Sequence, residues 1–326
     1  MLFITNRVLR QSPKLKVGRK ITFNIQDNQA QQSVYFCRRH GIDDYEELGS
    51  ENFFDELRNS PYNQILLYLH GYSNLPEPSI FPRAEMLQWF CDQEKPNEVL
   101  VIPMIWPCDA DQGMIQDYFD DQMAADASGY AFARVFEKFI GWRDDNTPLS
   151  KPCLMRINIL AHSMGNRVLR STFDNVVHYY RPNGMPLVFR NIFMVAPDLV
   201  NESLQPDREG RYICDAARNV AIYYASDDLA LRASKVANVK NDIASRRLGH
   251  TGPEDMSKTP KNVYAIDCDD FNSRYDPMGH TYFVTDNLGN PGLVFKHIWE
   301  ALRTGRIPME TPEARTLILT SSLFQK

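Results

Sequence analysis

Five short runs of this chain are almost continuously apolar: ILLYLH at 65–70, VLVIPMIW at 99–106, RINILAHS at 156–163, FRNIFMVA at 189–196 and NVAIYYAS at 219–226. A strand with one face in water alternates polar and apolar residues, whereas a strand covered on both faces reads as an unbroken apolar run. Helical spacing fills several of the gaps. Residues 83–93 place Met86, Leu87, Phe90 and Cys91 at helical intervals, 118–140 carries a stripe of small and apolar residues, and 164–180 and 291–302 repeat the pattern. Parallel neighbours need a crossover, so this alternation predicts an α/β fold with a central, mostly parallel mixed sheet and helices on both faces. NVYAI at 262–266 adds a strand, and the first sixty residues add the short runs LFIT at 2–5, ITFNI at 21–25 and SVYFC at 33–37. Pro103 removes one ladder donor and predicts a bulge or irregular edge in the second apolar run.

The 326 residues read as a single domain, with N-terminal strands over 1–60 and cap or rim loops at 106–118 and 201–215. There is no repeat, low-complexity tract or dividing linker. A 43% apolar composition supplies a substantial core, and 36 basic against 41 acidic side chains leave a net charge of −5. That balance offers no basic patch for nucleic acid. No stretch reaches membrane-span length, and the start, MLFITNRVLR, is interrupted too early by Arg7 and Arg10 for a signal peptide. The six cysteines, at 37, 91, 108, 153, 214 and 268, form no C-x-x-C pair, which suits reduced thiols in the cytoplasm.

The chemistry concentrates in NILAHSMGNR at 158–167. Ile159 and Leu160 end a buried strand, Ser163 falls on a tight turn, and Met164, Gly165, Val168 and Leu169 begin a helix. A nucleophile on such a turn crowds its own backbone, so the positions two before and two after must be small, as Ala161 and Gly165 are. The helix start also offers free N–H groups to an oxyanion. Ser163 is therefore the leading nucleophile.

With these residues in view, the sequence resembles the α/β-hydrolase superfamily, and within it an esterase/lipase-like group of largely unassigned substrate. The resemblance rests on LFITNR, LYLHGYSN at 67–74, AHSMGNR at 161–167, APDL at 196–199, YYASDDLALRAS at 223–234 and GHTYF at 279–283. Ala161 stands where the commonest elbow pattern, G-x-S-x-G, has its first glycine. The resemblance implies an α/β-hydrolase fold and His280 as the catalytic base. It places an acid after the penultimate strand, which matches Asp228, with Asp227 and Asp198 as alternatives. It also implies an oxyanion hole from the backbone N–H groups of Met164 and Tyr72, with Gly71 letting the second loop approach. His70 and His162 read as structural hydrogen bonders. The implied reaction is hydrolysis of a small-molecule ester through an acyl-enzyme, without metal or organic cofactor. The alternative is a non-catalytic scaffold that binds a small molecule or protein.

Other signals read blandly. Asp267, Asp269, Asp270 and Asp276 form an acidic run without calcium-loop spacing, expected to cap turns or meet solvent. No phosphate-binding glycine loop is present. Arg167 is expected to face solvent or a carboxylate, and RRLGH at 246–250 makes no nucleic-acid signature. Tyr72, Trp106, Met114, Tyr118 and Phe119 could line an acyl pocket but read first as packing. Glu202, Asp207, Arg208, Glu209 and Arg211 either cover the cleft or face water. Nothing specifies oligomeric state.

Overall fold

The computed structural model describes residues 1–108, 114–145, 155–231 and 246–325. Its contacts gather into two compact units, Met1–Ile157 with Val168–Met185, and Asn158–Arg167 with Pro186–Lys326. The chain passes between them three times.

The first unit contains β1 (Leu2–Thr5), β2 (Lys20–Ile21), β3 (Tyr35–Gly41), β4 (Asp44–Glu47), β5 (Gln64–Leu69) and β6 (Val99–Ile105), with helices α1 (Gly49–Asn59), α2 (Phe81–Glu94) and α3 (Met114–Asp145). The strands run in the order β5-β6-β1-β3-β4-β2. β5, β6 and β1 are parallel, while β1, β3, β4 and β2 pair antiparallel. β5 is buried at every position, as its unbroken apolar run requires. Pro103 produces no bulge. The β5–β6 register continues through Tyr68↔Pro103, and the β1 ladder begins only at Met104, so β6 is an interior strand. The expected strand over 21–25 shrinks to Lys20–Ile21, because the chain turns where Asp27 N–H bonds the Asn24 carbonyl, leaving Phe23 an isolated bridge to Leu9.

An aromatic cluster of Phe3, Phe23, Tyr45 and Phe81, with centroids 5.0–6.1 Å apart, fills one side of this unit. Such pairs contribute roughly 0.5–1.5 kcal/mol each beyond their area. α3 extends past the expected 118–140 at both ends. Gly129 lies in its middle, where a Cβ would overlap Ser171. The missing side chain lets the Ser171 hydroxyl reach the Asp126 carbonyl at 2.6 Å.

The second unit is parallel throughout: β7 (Arg156–His162, from Asn158 on), β8 (Phe189–Val195), β9 (Ala217–Tyr224), β10 (Val263–Asp267) and β11 (Thr316–Ile318), in that order. α4 (Gly165–Asn175) follows β7; from Val168 onward it, with the wider turn over Val176–Tyr180 that continues it, belongs to the first unit. α5 (Arg211–Ala216), α6 (Leu248–Thr251), α7 (Asn272–Tyr275) and α8 (Leu293–Thr304) complete the second. α8 turns Val294, Phe295, Ile298, Trp299, Ala301 and Leu302 inward, the stripe that the helical spacing predicted. The two expected rim loops are partly regular. Residues 109–113 of the first lie outside the described residues and 114–118 are helical, while the second is turns over 201–210 followed by α5.

The fold class is α/β with a mixed, mostly parallel sheet and flanking helices. Among the described residues, no helix is long and apolar enough to cross a membrane.

Candidate active site

Ser163 follows directly on β7 and precedes α4 by one residue. Its φ of 52° is left-handed, a conformation that costs a non-glycine residue roughly 1–3 kcal/mol and persists only when its surroundings enforce it. The enforcement is visible. Ser163 N–H bonds the Val195 carbonyl at 2.9 Å, while its own carbonyl accepts the N–H groups of Asn166 and Asp198 at 3.1 and 3.3 Å. Buried Asn166 donates its side-chain amide to both Ala161 and Ser163 carbonyls at 3.0 Å. No backbone or side-chain hydrogen bond among the described residues uses the Met164 N–H.

The three candidate acids separate by partner. Asp228, fully buried, splits its carboxylate: Oδ1 accepts the Leu231 N–H at 2.9 Å, capping the helical turn that starts at Leu229, and Oδ2 lies 2.7 Å from His280 Nδ1. Asp227 instead accepts from the Asn272 amide. Asp198 lies 3.2 Å from the Arg247 guanidinium, an ion pair with both side chains buried. RRLGH thus supplies a partner for a carboxylate.

His280 sits on a loop shaped from below. Asp276 Oδ2 accepts the main-chain N–H groups of His280 at 2.9 Å and Thr281 at 2.6 Å. The preceding Gly279 is left-handed at φ 66°, and a Cβ there would meet the Asn272 amide at 2.8 Å. Burial is the largest influence on the imidazole and lowers its pKa, but the charge and hydrogen bond of Asp228, with Asp276 and Asp198 behind them, raise it above the ordinary 6.5. An ionised carboxylate only accepts, so it fixes the Nδ1–H tautomer and leaves Nε2 with its lone pair. The ring lies 4.9 Å from that of His162, the residue before the nucleophile. No hydrogen bond among the described residues joins the Ser163 hydroxyl to His280.

Asn166, Asn272 and Asp276 carry roles that the sequence reading did not assign. Their signal was proximity for two of them: Asn166 lies three residues after Ser163 and Asp276 four before His280, whereas Asn272 stands seven before Gly279. Asp276 belongs to the acidic run. Elsewhere in that run, Asp269 accepts from the Ser226 N–H at 2.5 Å and hydroxyl at 2.7 Å. Among the described residues, no group of three or more His, Cys, Asp or Glu side chains is placed to hold a metal.

In the first unit, the left-handed residue of the HGYSN loop is Ser73, φ 55°, rather than Gly71, and its N–H bonds Asp121 at 3.0 Å. The Tyr72 carbonyl accepts the Asn74 amide at 2.7 Å, and its ring packs edge-on against Tyr118. Trp106 is core: it stacks on His70 at 4.9 Å and donates Nε1–H to the His70 carbonyl.

No curated protein matches the chain. The model of one family, described as alpha/beta hydrolase of unknown function (DUF900), matches residues 46–294, well over half of the sequence, and the chain belongs to that family.

Proposed function

We propose that the protein is a serine hydrolase that cleaves a small or medium carboxylic ester through an acyl-enzyme. The observation that carries this reading is the 2.7 Å contact between Asp228 and His280, beside a left-handed serine on a strand-to-helix turn. Asp228 holds Nδ1–H, so His280 Nε2 takes the Ser163 proton as Oγ attacks the ester carbonyl. The Met164 N–H, at the start of α4, donates to the oxyanion. His280 then protonates the departing alcohol, and water attacks the acyl-enzyme with the same imidazole as base. The expected second donor, Tyr72, belongs to the first unit and remains a proposal tested by variants of its loop.

The chain's three passages between the units support its working as one domain over 1–326. The buried thiols of Cys37, Cys91, Cys214 and Cys268, outside any disulfide, support a cytoplasmic setting.

A fluorophosphonate probe should label the wild-type protein and miss Ser163→Ala, and acyl esters of graded chain length, assayed beside amides and lactones, should reveal a preferred ester. Folded wild-type protein that neither takes the probe nor cleaves any ester overturns the proposal. The missing Ser163–His280 hydrogen bond favours the second reading, a binding scaffold with an idle cleft. Catalytic hydrogen bonds are commonly loose before substrate arrives, which keeps hydrolysis the stronger reading.

A further inference from the structure

His280 is held at three points. Asp228 takes its ring Nδ1 and Asp276 its main-chain N–H; its main-chain carbonyl is held by His162, whose Nε2 lies 3.2 Å away. A carbonyl oxygen only accepts, so His162 Nε2 must carry a proton. His162 closes β7 immediately before Ser163, is 2% exposed, and sets its ring against those of His280 at 4.9 Å and Phe283 at 4.8 Å. The contact ties the elbow to a loop 118 residues further along the chain.

We propose that His162 is a positioning residue for the base: its Nε2–H holds the main chain of His280 against the end of β7, so that the imidazole is presented to the serine beside it. The inference rests on the serine-hydrolase reading. Packing alone does not call for histidine here, since phenylalanine would fill the space and face Phe283 without burying polar nitrogens. What histidine adds is a donor. Without it, the hydrogen bonds to His280 among the described residues are those of Asp228 and Asp276.

The test compares the rate of fluorophosphonate labelling and the hydrolysis of a short-chain aryl ester, each across pH, in wild type, His162→Phe and His162→Gln. Phenylalanine keeps the ring contacts and loses the donor, whereas glutamine places an amide N–H near the Nε2 position. The expected result is labelling and kcat lowered about tenfold in the Phe variant with KM little changed, since small misplacements of a catalytic group are costly. The midpoint of its pH profile should also move, because the imidazole shifts relative to the Asp228, Asp276 and Asp198 charges that act on it, and its neighbour His162 is removed. The Gln variant should recover most of the rate and the wild-type midpoint.

Wild-type rate and midpoint in His162→Phe overturn the inference while Ser163-dependent labelling leaves the hydrolase reading standing, as does a Gln variant no better than Phe. Absence of any wild-type labelling removes both. If His162→Phe fails to fold, His162→Asn replaces it, because its amide reaches only the Nδ1 position. Asn equal to Gln then overturns the proposal.

Discussion

Two histidines, His70 fully buried in the first unit and His280 half-buried in the second, show how environment sets what an imidazole is free to do. His70 follows β5 with both nitrogens engaged: Nδ1 lies 2.9 Å from the Gly71 carbonyl, and Nε2 accepts the Trp106 N–H at 3.2 Å. Burial pushes its pKa down to about 3, and the nearby Arg7 and Arg83 charges push the same way. The charges of Asp228, Asp276 and Asp198 raise the pKa of His280, and among the described residues only its Nδ1 is hydrogen-bonded. A neutral, saturated imidazole can only hold a loop. One with a carboxylate behind Nδ1 and a bare Nε2 can move a proton.

The sharpest way to break this contrast is to remove each ring in turn. His280→Ala should lower kcat for ester hydrolysis by about a million-fold, the scale on which serine triads respond to losing their base. His70→Gln, which retains a donor and an acceptor, should leave kcat within a few-fold of wild type; equal losses in the two variants would erase the distinction. Next in size is Asp228→Asn, expected to cost about 10,000-fold in kcat through the wrong tautomer. Asp198→Asn should act mainly on stability, by about 3–5 kcal/mol in denaturant titration, because it leaves the Arg247 charge buried and alone. A reversal of those two effects would name Asp198 as the acid.

The histidines also predict opposite pH slopes. For His70 the unfolded chain binds the proton more readily, so its contribution to stability is full above the ordinary 6.5 and declines as pH falls toward about 3. Wild type should lose roughly 5 °C more of its unfolding midpoint than His70→Gln between pH 7 and 4. The His280 contribution runs the other way, present below 6.5 and lost as pH rises through its raised folded value. The smallest effect is in the rate profile: kcat/KM should climb with pH through a midpoint above 6.5, and Asp228→Asn should move that midpoint down.

The interior strands were legible because burial on both faces leaves an unbroken apolar signature, and the strand-to-helix turn at Ser163 because small residues flank it. β4 was not, since DYEE sets a single aromatic, Tyr45, among three acids. Its Glu47 points inward only because Arg19, 2.6 Å away, and the Lys16 N–H meet it there. β11 is three residues long, too short to show a period. In the site, order along the chain left Asp198, Asp227 and Asp228 open. Distant residues sort them: Arg247 takes one, Asn272 the second, His280 the third, and no local pattern announces which side chain turns which way.

The left-handed serine carries an evolutionary consequence. Glycine adopts φ near 52° without the clash that a Cβ meets, so Ser163→Gly should raise folding stability by up to about 1 kcal/mol after glycine's greater unfolded-state entropy is counted. The chain without the hydroxyl is then the sturdier one. Drift at this codon runs downhill toward glycine, and a population keeps the hydroxyl only for as long as selection favours it.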